Sequence, residues 1–254
     1  MPKVDYGIQM FCLRDITPDN MEKALEEVAK LGYKYVEFGG LYDYSPNQIK
    51  EWLDELSLVC TGAHIGLDEL SPEKINTTIK TYTEVGCNHF IVPWCDATKS
   101  NEVIKKLNYA YNTLKNAGIK LSYHNHSFEF FPAPESGVIM EDEIINKTSV
   151  GLQIDTFWLY NAGVDVVEYL EKHKSRISLI HLKDGIPAPE ENRIFERNTQ
   201  GVKGLSVGEG EVPIIDIRSW AIENDVMMIV ESEGMQPSGI EEVGRSIRYL
   251  QSLE

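Results

Sequence analysis

Short aliphatic and β-branched runs alternate along this chain with longer stretches whose apolar residues recur every three or four positions. The short runs have the length and composition of strands, and the longer ones carry the spacing of amphipathic helices. Residues 4–9 form the first run. A helix start at Thr17-Pro-Asp follows, with Met21, Ala24, Leu25, Val28 and Leu31 on one helical face and Gly32 as the stop. Further strands are predicted at 35–38, 58–64, 89–94, 119–124, 150–155, 177–181 and 226–231. Helices that begin near Ser45, Ser71, Ser100 and Val164 separate them, and a last helix covers 239–253.

The strand starts, near residues 4, 34, 58, 88, 119, 150, 177 and 226, step by 24 to 31 positions and then by 49. Eight strand–helix units at that period predict an α/β fold, a (β/α)8 TIM barrel forming a single domain over residues 1–254, in preference to an open doubly wound sheet. Neither G-x-G-x-x-G nor a Walker A motif occurs, which argues against a dinucleotide or nucleoside triphosphate site. One segment breaks the period: residues 185–213, rich in Gly and Pro, after the seventh strand. A connection of this length in a compact domain is either functional or a surface excursion. As a lid over the barrel mouth it would bring Arg193, Arg197 and Lys203 towards a substrate.

Several runs end abruptly in a carboxylate or an imidazole. Glu129 and Asp155 are 26 residues apart, as are Asp155 and His181, while His181 and Glu231 are 50 apart. A barrel of strand–helix units would gather all four at its C-terminal mouth, where such folds keep their active sites. A charge that closes an apolar strand sits at low dielectric and needs a partner or a metal. Two Glu, one Asp and one His form an oxygen and nitrogen donor set suited to a divalent cation: Mn²⁺ first, then Co²⁺, Mg²⁺ or Zn²⁺. Gln9, Glu37, His64, His124, His126 and Lys183 also stand at strand ends on that side.

Charge narrows the partners. The formal net charge of −16 opposes nucleic acid and anionic membrane surfaces, which need clustered Lys and Arg. No run of 18 apolar residues exists and Met1-Pro-Lys-Val-Asp5 lacks a signal-peptide pattern, so a cytoplasmic protein is expected. Cys12, Cys60, Cys87 and Cys95 contain no C-x-x-C pair and are read as buried free thiols.

The motifs His124-Asn-His126-x-x-Glu129, Asp155-Thr-x-Trp158, His181-Leu-Lys-Asp184, Gly208-Glu-Gly210 and Val230-Glu231 resemble those of the xylose isomerase-like TIM-barrel superfamily. That superfamily holds sugar and sugar-phosphate isomerases and epimerases, inosose dehydratase and endonuclease IV. The resemblance spans essentially the whole chain. It implies Glu129, Asp155, His181 and Glu231 as metal ligands, and a sugar or keto-sugar as substrate. The fifth strand departs from the ketose 3-epimerase pattern, in which a Glu ends the strand ahead of an Asn-Arg-x-Glu run. Here His124-Asn-His126 stands instead, which makes His124 the alternative ligand to Glu129.

The implied activity is isomerisation or epimerisation through an enediolate, with proton abstraction next to a carbonyl. Glu129 and Glu231 are the expected acid–base pair, His126 the rival base and Lys183 a polarising cation. Gln9, Glu37, His64, His124 and Arg193 are candidates to contact substrate oxygens, and Trp94 and Trp158 to wall a ring face. A same-fold lyase acting on a keto-sugar, keto-inositol or 3-keto-glycoside is the first alternative, and a non-catalytic metal- or sugar-binding subunit the second. Barrels of this kind often self-associate, so a homo-oligomer is entertained.

Overall fold

The aliphatic runs become the parallel staves of a closed barrel. A computed structural model describes residues 4–197 and 199–254. The strands, in chain order, are β1 (Gly7–Gln9), β2 (Tyr35–Phe38), β3 (Val59–His64), β4 (His89–Val92), β5 (Lys120–His124), β6 (Gly151–Asp155) and β7 (Ile177–Leu182). β8 (Asp184–Ile186) and β9 (Lys203–Leu205) leave the barrel as an antiparallel hairpin, and β10 (Met227–Val230) closes it between β7 and β1. The helices are α1 (Met21–Leu31), α2 (Pro46–Glu55), α3 (Ile75–Glu84), α4 (Ser100–Asn116), α5 (Met140–Lys147), α6 (Thr156–Asn161), α7 (Val166–His173), α8 (Ile214–Glu223) and α9 (Gly239–Ser252).

Local chemistry sets these boundaries. The Asn20 side chain accepts from the Lys23 amide at 3.0 Å to start α1, and Gly32, at φ 97°, ends it in the left-handed region that disfavours a Cβ. Ser45 and Gln48 form a reciprocal capping box on α2, with Pro46 in its first turn. Met21, Ala24, Leu25 and Val28 bury the predicted face of α1 against the barrel. In the sheet, Gln9 pairs with Glu37, His124 with Gln153, and Asp155 with His181. This register brings the polar strand ends level at the C-terminal rim.

The segment 185–213 is not a free excursion. β8 and β9 pair within it, and the Asp184 carboxylate accepts from the amides of Gly185 (2.8 Å), Gly208 (2.9 Å), Gly210 (3.0 Å) and Val212 (3.1 Å). A Cβ on Gly210 would lie 2.2 Å from Asp184 Oδ1, so the Gly208-Glu-Gly210 motif is the cradle of this carboxylate. The helices α5, α6 and α8 do not emerge from the periodicity of the sequence. α5 and α6 are eight and six residues long, and α8 is so rich in Ile that its pattern also suits a strand. All four cysteines are free thiols. Among the described residues no helix is long and apolar enough to cross a membrane.

Candidate active site

Glu37 is the hub of the barrel mouth. Fully buried on β2, it accepts from Gln9 Nε2 at 2.7 Å and from Gln153 Nε2 at 2.6 Å; its Oε1 also lies 2.6 Å from His181 Nε2 and 3.0 Å from His64 Nε2. Burial alone would favour its neutral form, but His181 and then His64 hold its carboxyl well below the usual range. Because Gln153 Nε2 is committed to Glu37, its Oε1 must be the acceptor for His124 Nδ1 and His64 Nε2, each 2.9 Å away. That assigns the proton of His124 to Nδ1 and leaves the Nε2 lone pair free, 3.9 Å from Asp155 Oδ2. Burial, then the neighbouring His181, keeps His124 neutral by lowering its pKa well below the ordinary value.

Ligand atoms of His124, Asp155, His181 and Glu231 all lie within 4.8 Å of one another. Asp155 is split in purpose. Its Oδ1 accepts from the Trp158 amide at 2.9 Å and caps α6, while its Oδ2, fully buried, accepts no hydrogen bond among the described residues. Burial raises the Asp155 pKa to about 7 against the opposing pull of Lys183. His181 Nδ1 meets Glu231 Oε2 at 2.9 Å and its other nitrogen is gripped by Glu37, the carboxylate–imidazole arrangement that orients metal-holding histidines. Burial opposes the charge on His181, but Glu37 and Glu231 raise its pKa to about 10. Glu231 is driven well below its ordinary range, burial being outweighed by Lys183 and His181.

These residues fit a divalent cation. Two imidazoles and two carboxylates converge, one carboxylate oxygen is buried and unsatisfied, and one imidazole lone pair is free. The four carboxylates Glu37, Asp155, Glu231 and Glu233 also outnumber the three cations His181, Lys183 and Arg197 around the cavity. Lys183 Nζ sits 2.6 Å from Glu233, 3.5 Å from Glu231 and 3.6 Å from Asp155, and 5.1 Å from the Trp158 ring centroid. Burial works against its charge, yet Glu231 and Glu233 raise its pKa, so it stays an ammonium.

Glu129 is the residue that the structure does not bring to this group. It lies in a single 3-10 turn after β5, where it accepts from the Tyr123 hydroxyl (2.7 Å) and the His126 amide (2.9 Å). Desolvation raises its pKa to about 8. His124, one residue along from Tyr123 and so on the opposite face of β5, supplies the imidazole instead. Two further candidates stand apart from this group. Arg193 donates to the Ala188 carbonyl at 2.7 Å and stabilises its own loop, whereas Arg197 is the loop cation that borders the cavity. Trp94 stands outside the cavity wall, 41% exposed.

The cavity itself, about 590 Å³ including its open mouth, is bordered by Phe11, His64, His124, His126, Lys183 and Glu231, with Glu233 at its edge. His126 Nδ1 is buried and has no hydrogen-bond partner among the described residues; burial, then Lys183, lowers its pKa to about 3 and keeps it neutral. Gln153 and Glu233 were not singled out from the sequence as site residues. Gln153 had a readable signal, a polar residue two positions before Asp155 and so on the same inward face of an aliphatic strand.

A family model described as a xylose isomerase-like TIM barrel matches residues 25–253. The chain is 24% identical to an inosose dehydratase of Geobacillus kaustophilus over 84% of its own length and 80% of the relative's. In three dimensions it resembles a sugar phosphate isomerase/epimerase of Parabacteroides distasonis (TM-score 0.78, 22% identity, 99% and 95% of the two chains). It also resembles a probable 3-DHS dehydratase of Bacillus anthracis (TM-score 0.70, 11% identity, 98% and 99% of the two chains). At these identities the solved structures speak for the fold.

Proposed function

The chain belongs to the xylose isomerase-like TIM-barrel family, and from that premise we propose that it is a divalent-cation-dependent lyase, removing a proton next to the carbonyl of a keto-sugar or keto-polyol and expelling a β-oxygen substituent. One observation carries the reading: His124, Asp155, His181 and Glu231 converge around the unsatisfied Asp155 Oδ2 while Glu129 is committed elsewhere. A cation bound by those four side chains would supply Lewis-acid stabilisation of the negative charge that develops on the carbonyl oxygen.

The chain's own groups divide the remaining work. His126 is neutral and borders the cavity; its Nδ1 is buried 3.9 Å from Glu129 Oε1, so its Nε2 is the ring nitrogen placed to take the proton. Lys183, held as an ammonium by Glu231 and Glu233, presents donors to a developing oxyanion or to the departing oxygen. Glu37 and Gln153 fix the imidazoles of His181 and His124. Epimerisation needs a second base on the far face of the substrate carbon, and Glu129, the expected one, is held by Tyr123 and the His126 amide. The resemblance to an inosose dehydratase agrees with the lyase reading.

An isomerase or epimerase is the second reading. It is favoured by Glu233, a carboxylate at the cavity edge that would take the role expected of Glu129. Incubation in D₂O with a panel of ketoses, keto-inositols and 3-keto-glycosides, followed by NMR, separates the two. The lyase reading expects exchange next to the carbonyl with loss of water or aglycone. Exchange with an inverted centre and nothing lost would establish the epimerase, and no exchange on any member would end both.

A further inference from the structure

Trp94 stands where two clefts meet. On one side is the reaction cavity, bordered by Pro93 and by Arg197, whose guanidinium lies 4.5 Å from the centroid of the Trp94 ring. On the other is a second cleft, about 880 Å³ including its mouth, lined by Trp94 itself together with Leu67, Asp68, Glu69, Asp96 and Lys99. The indole is 41% exposed and is not part of the hydrophobic core. Across the cavity Phe11 is 39% exposed in the same manner, with the Arg14 guanidinium 4.6 Å from its ring and donating to the Glu233 carbonyl at 3.0 Å. Two aromatic rings, each with a guanidinium against it, therefore flank the mouth.

We propose that Trp94 is the floor of a second subsite, and that the substrate is a keto-sugar joined to a second, uncharged sugar ring rather than a free monosaccharide. This rests on the sugar-enzyme reading above. An exposed indole offers its face to the C–H face of a ring, and charged side chains around it offer hydrogen-bond partners to hydroxyls. The pairing of the charges there selects a neutral extension. Each acid of the cleft already has a lysine partner: Asp96 pairs with Lys99 at 3.0 Å, Asp68 and Glu102 with Lys106 at 3.1 and 2.9 Å, and Glu69 with Lys74 at 2.6 Å. A phosphate or carboxylate placed in the cleft would have to displace a carboxylate from one of these lysines, whereas the hydroxyls of a neutral ring leave the pairs intact.

Calorimetric binding of maltose, cellobiose and sucrose to the full chain, against their component monosaccharides, tests this without requiring turnover. At least one disaccharide should bind about tenfold tighter than either component, equivalent to about 1.4 kcal/mol. In W94A that ratio should fall towards one, and W94F should retain most of it. The proposal is overturned if no disaccharide exceeds its components, or if W94A leaves the ratio in place. Failure of the enolisation reading would show separately, as absent deuterium exchange.

Discussion

The two faces of β5 hold two clusters of buried carboxylates with opposite fates. On the inner face His124 joins Asp155, His181 and Glu231, and an acceptor oxygen is left unsatisfied beside an open cavity. On the outer face Tyr123 meets Glu129, which in turn feels the charge of Glu141, itself bonded to the Tyr169 hydroxyl. Both sets are desolvated. The inner carboxylates share their charge with imidazoles and an ammonium beside an open cavity, whereas the outer ones are capped by phenols. Glu141 Oε2 is also buried without a hydrogen-bond partner among the described residues, so an unfinished carboxylate marks the candidate site only where imidazoles and a cavity stand beside it.

The largest expected effect follows from removing an inner donor. D155N or H181N should lower deuterium exchange at the substrate carbon by about a thousandfold, the loss of several kcal/mol of charge stabilisation, measured by NMR. Next, E37Q should weaken metal affinity by about 10- to 100-fold, read by competition with a chelating dye, because His181 loses the carboxylate that orients it. Chelation should lower the melting temperature of the wild-type protein by roughly 5–10 °C, as expected when a ligand present at about a hundred times its dissociation constant is withdrawn from a domain of this size.

The outer cluster yields a smaller effect, expressed in stability. Burial raises the Glu141 pKa to about 7, above its ordinary 4.5, and its Oε2 lacks a hydrogen-bond partner among the described residues. The folded state therefore holds this proton more tightly than the unfolded chain. Its stabilising contribution is full below about pH 4.5 and is lost as the pH rises through about 7. E141Q should remove that fall and raise stability at pH 8 by on the order of 2 kcal/mol, about 5 °C in a thermal melt. A wild-type melt that is flat between pH 5 and 8 would contradict the assignment.

The sequence was informative about the barrel because strand–helix repeats, caps and stops are local signals. Ser45-Pro46 and Gly32 mark helix boundaries where the chain observes them. Asp155, His181 and Glu231 were legible for the same reason: each closes an aliphatic strand, and parallel register carries strand ends to one rim. Glu129 stands apart from them because it lies beyond the end of β5, in a turn whose direction strand periodicity does not encode. The chain folds back there, and the side chain returns to Tyr123 on the outer face. Arg193 and Arg197 were indistinguishable for a related reason. Only the hairpin of β8 and β9 and the Asp184 cradle decide which of them borders the cavity.

Metal content of single-residue variants tests the central assignment most directly. Elemental analysis of the purified protein should find about one divalent ion per chain in the wild type and in E129Q, and a loss of most of it in H124A and D155N. Retention by H124A together with loss in E129Q would contradict the account and move the fifth-strand ligand back to Glu129.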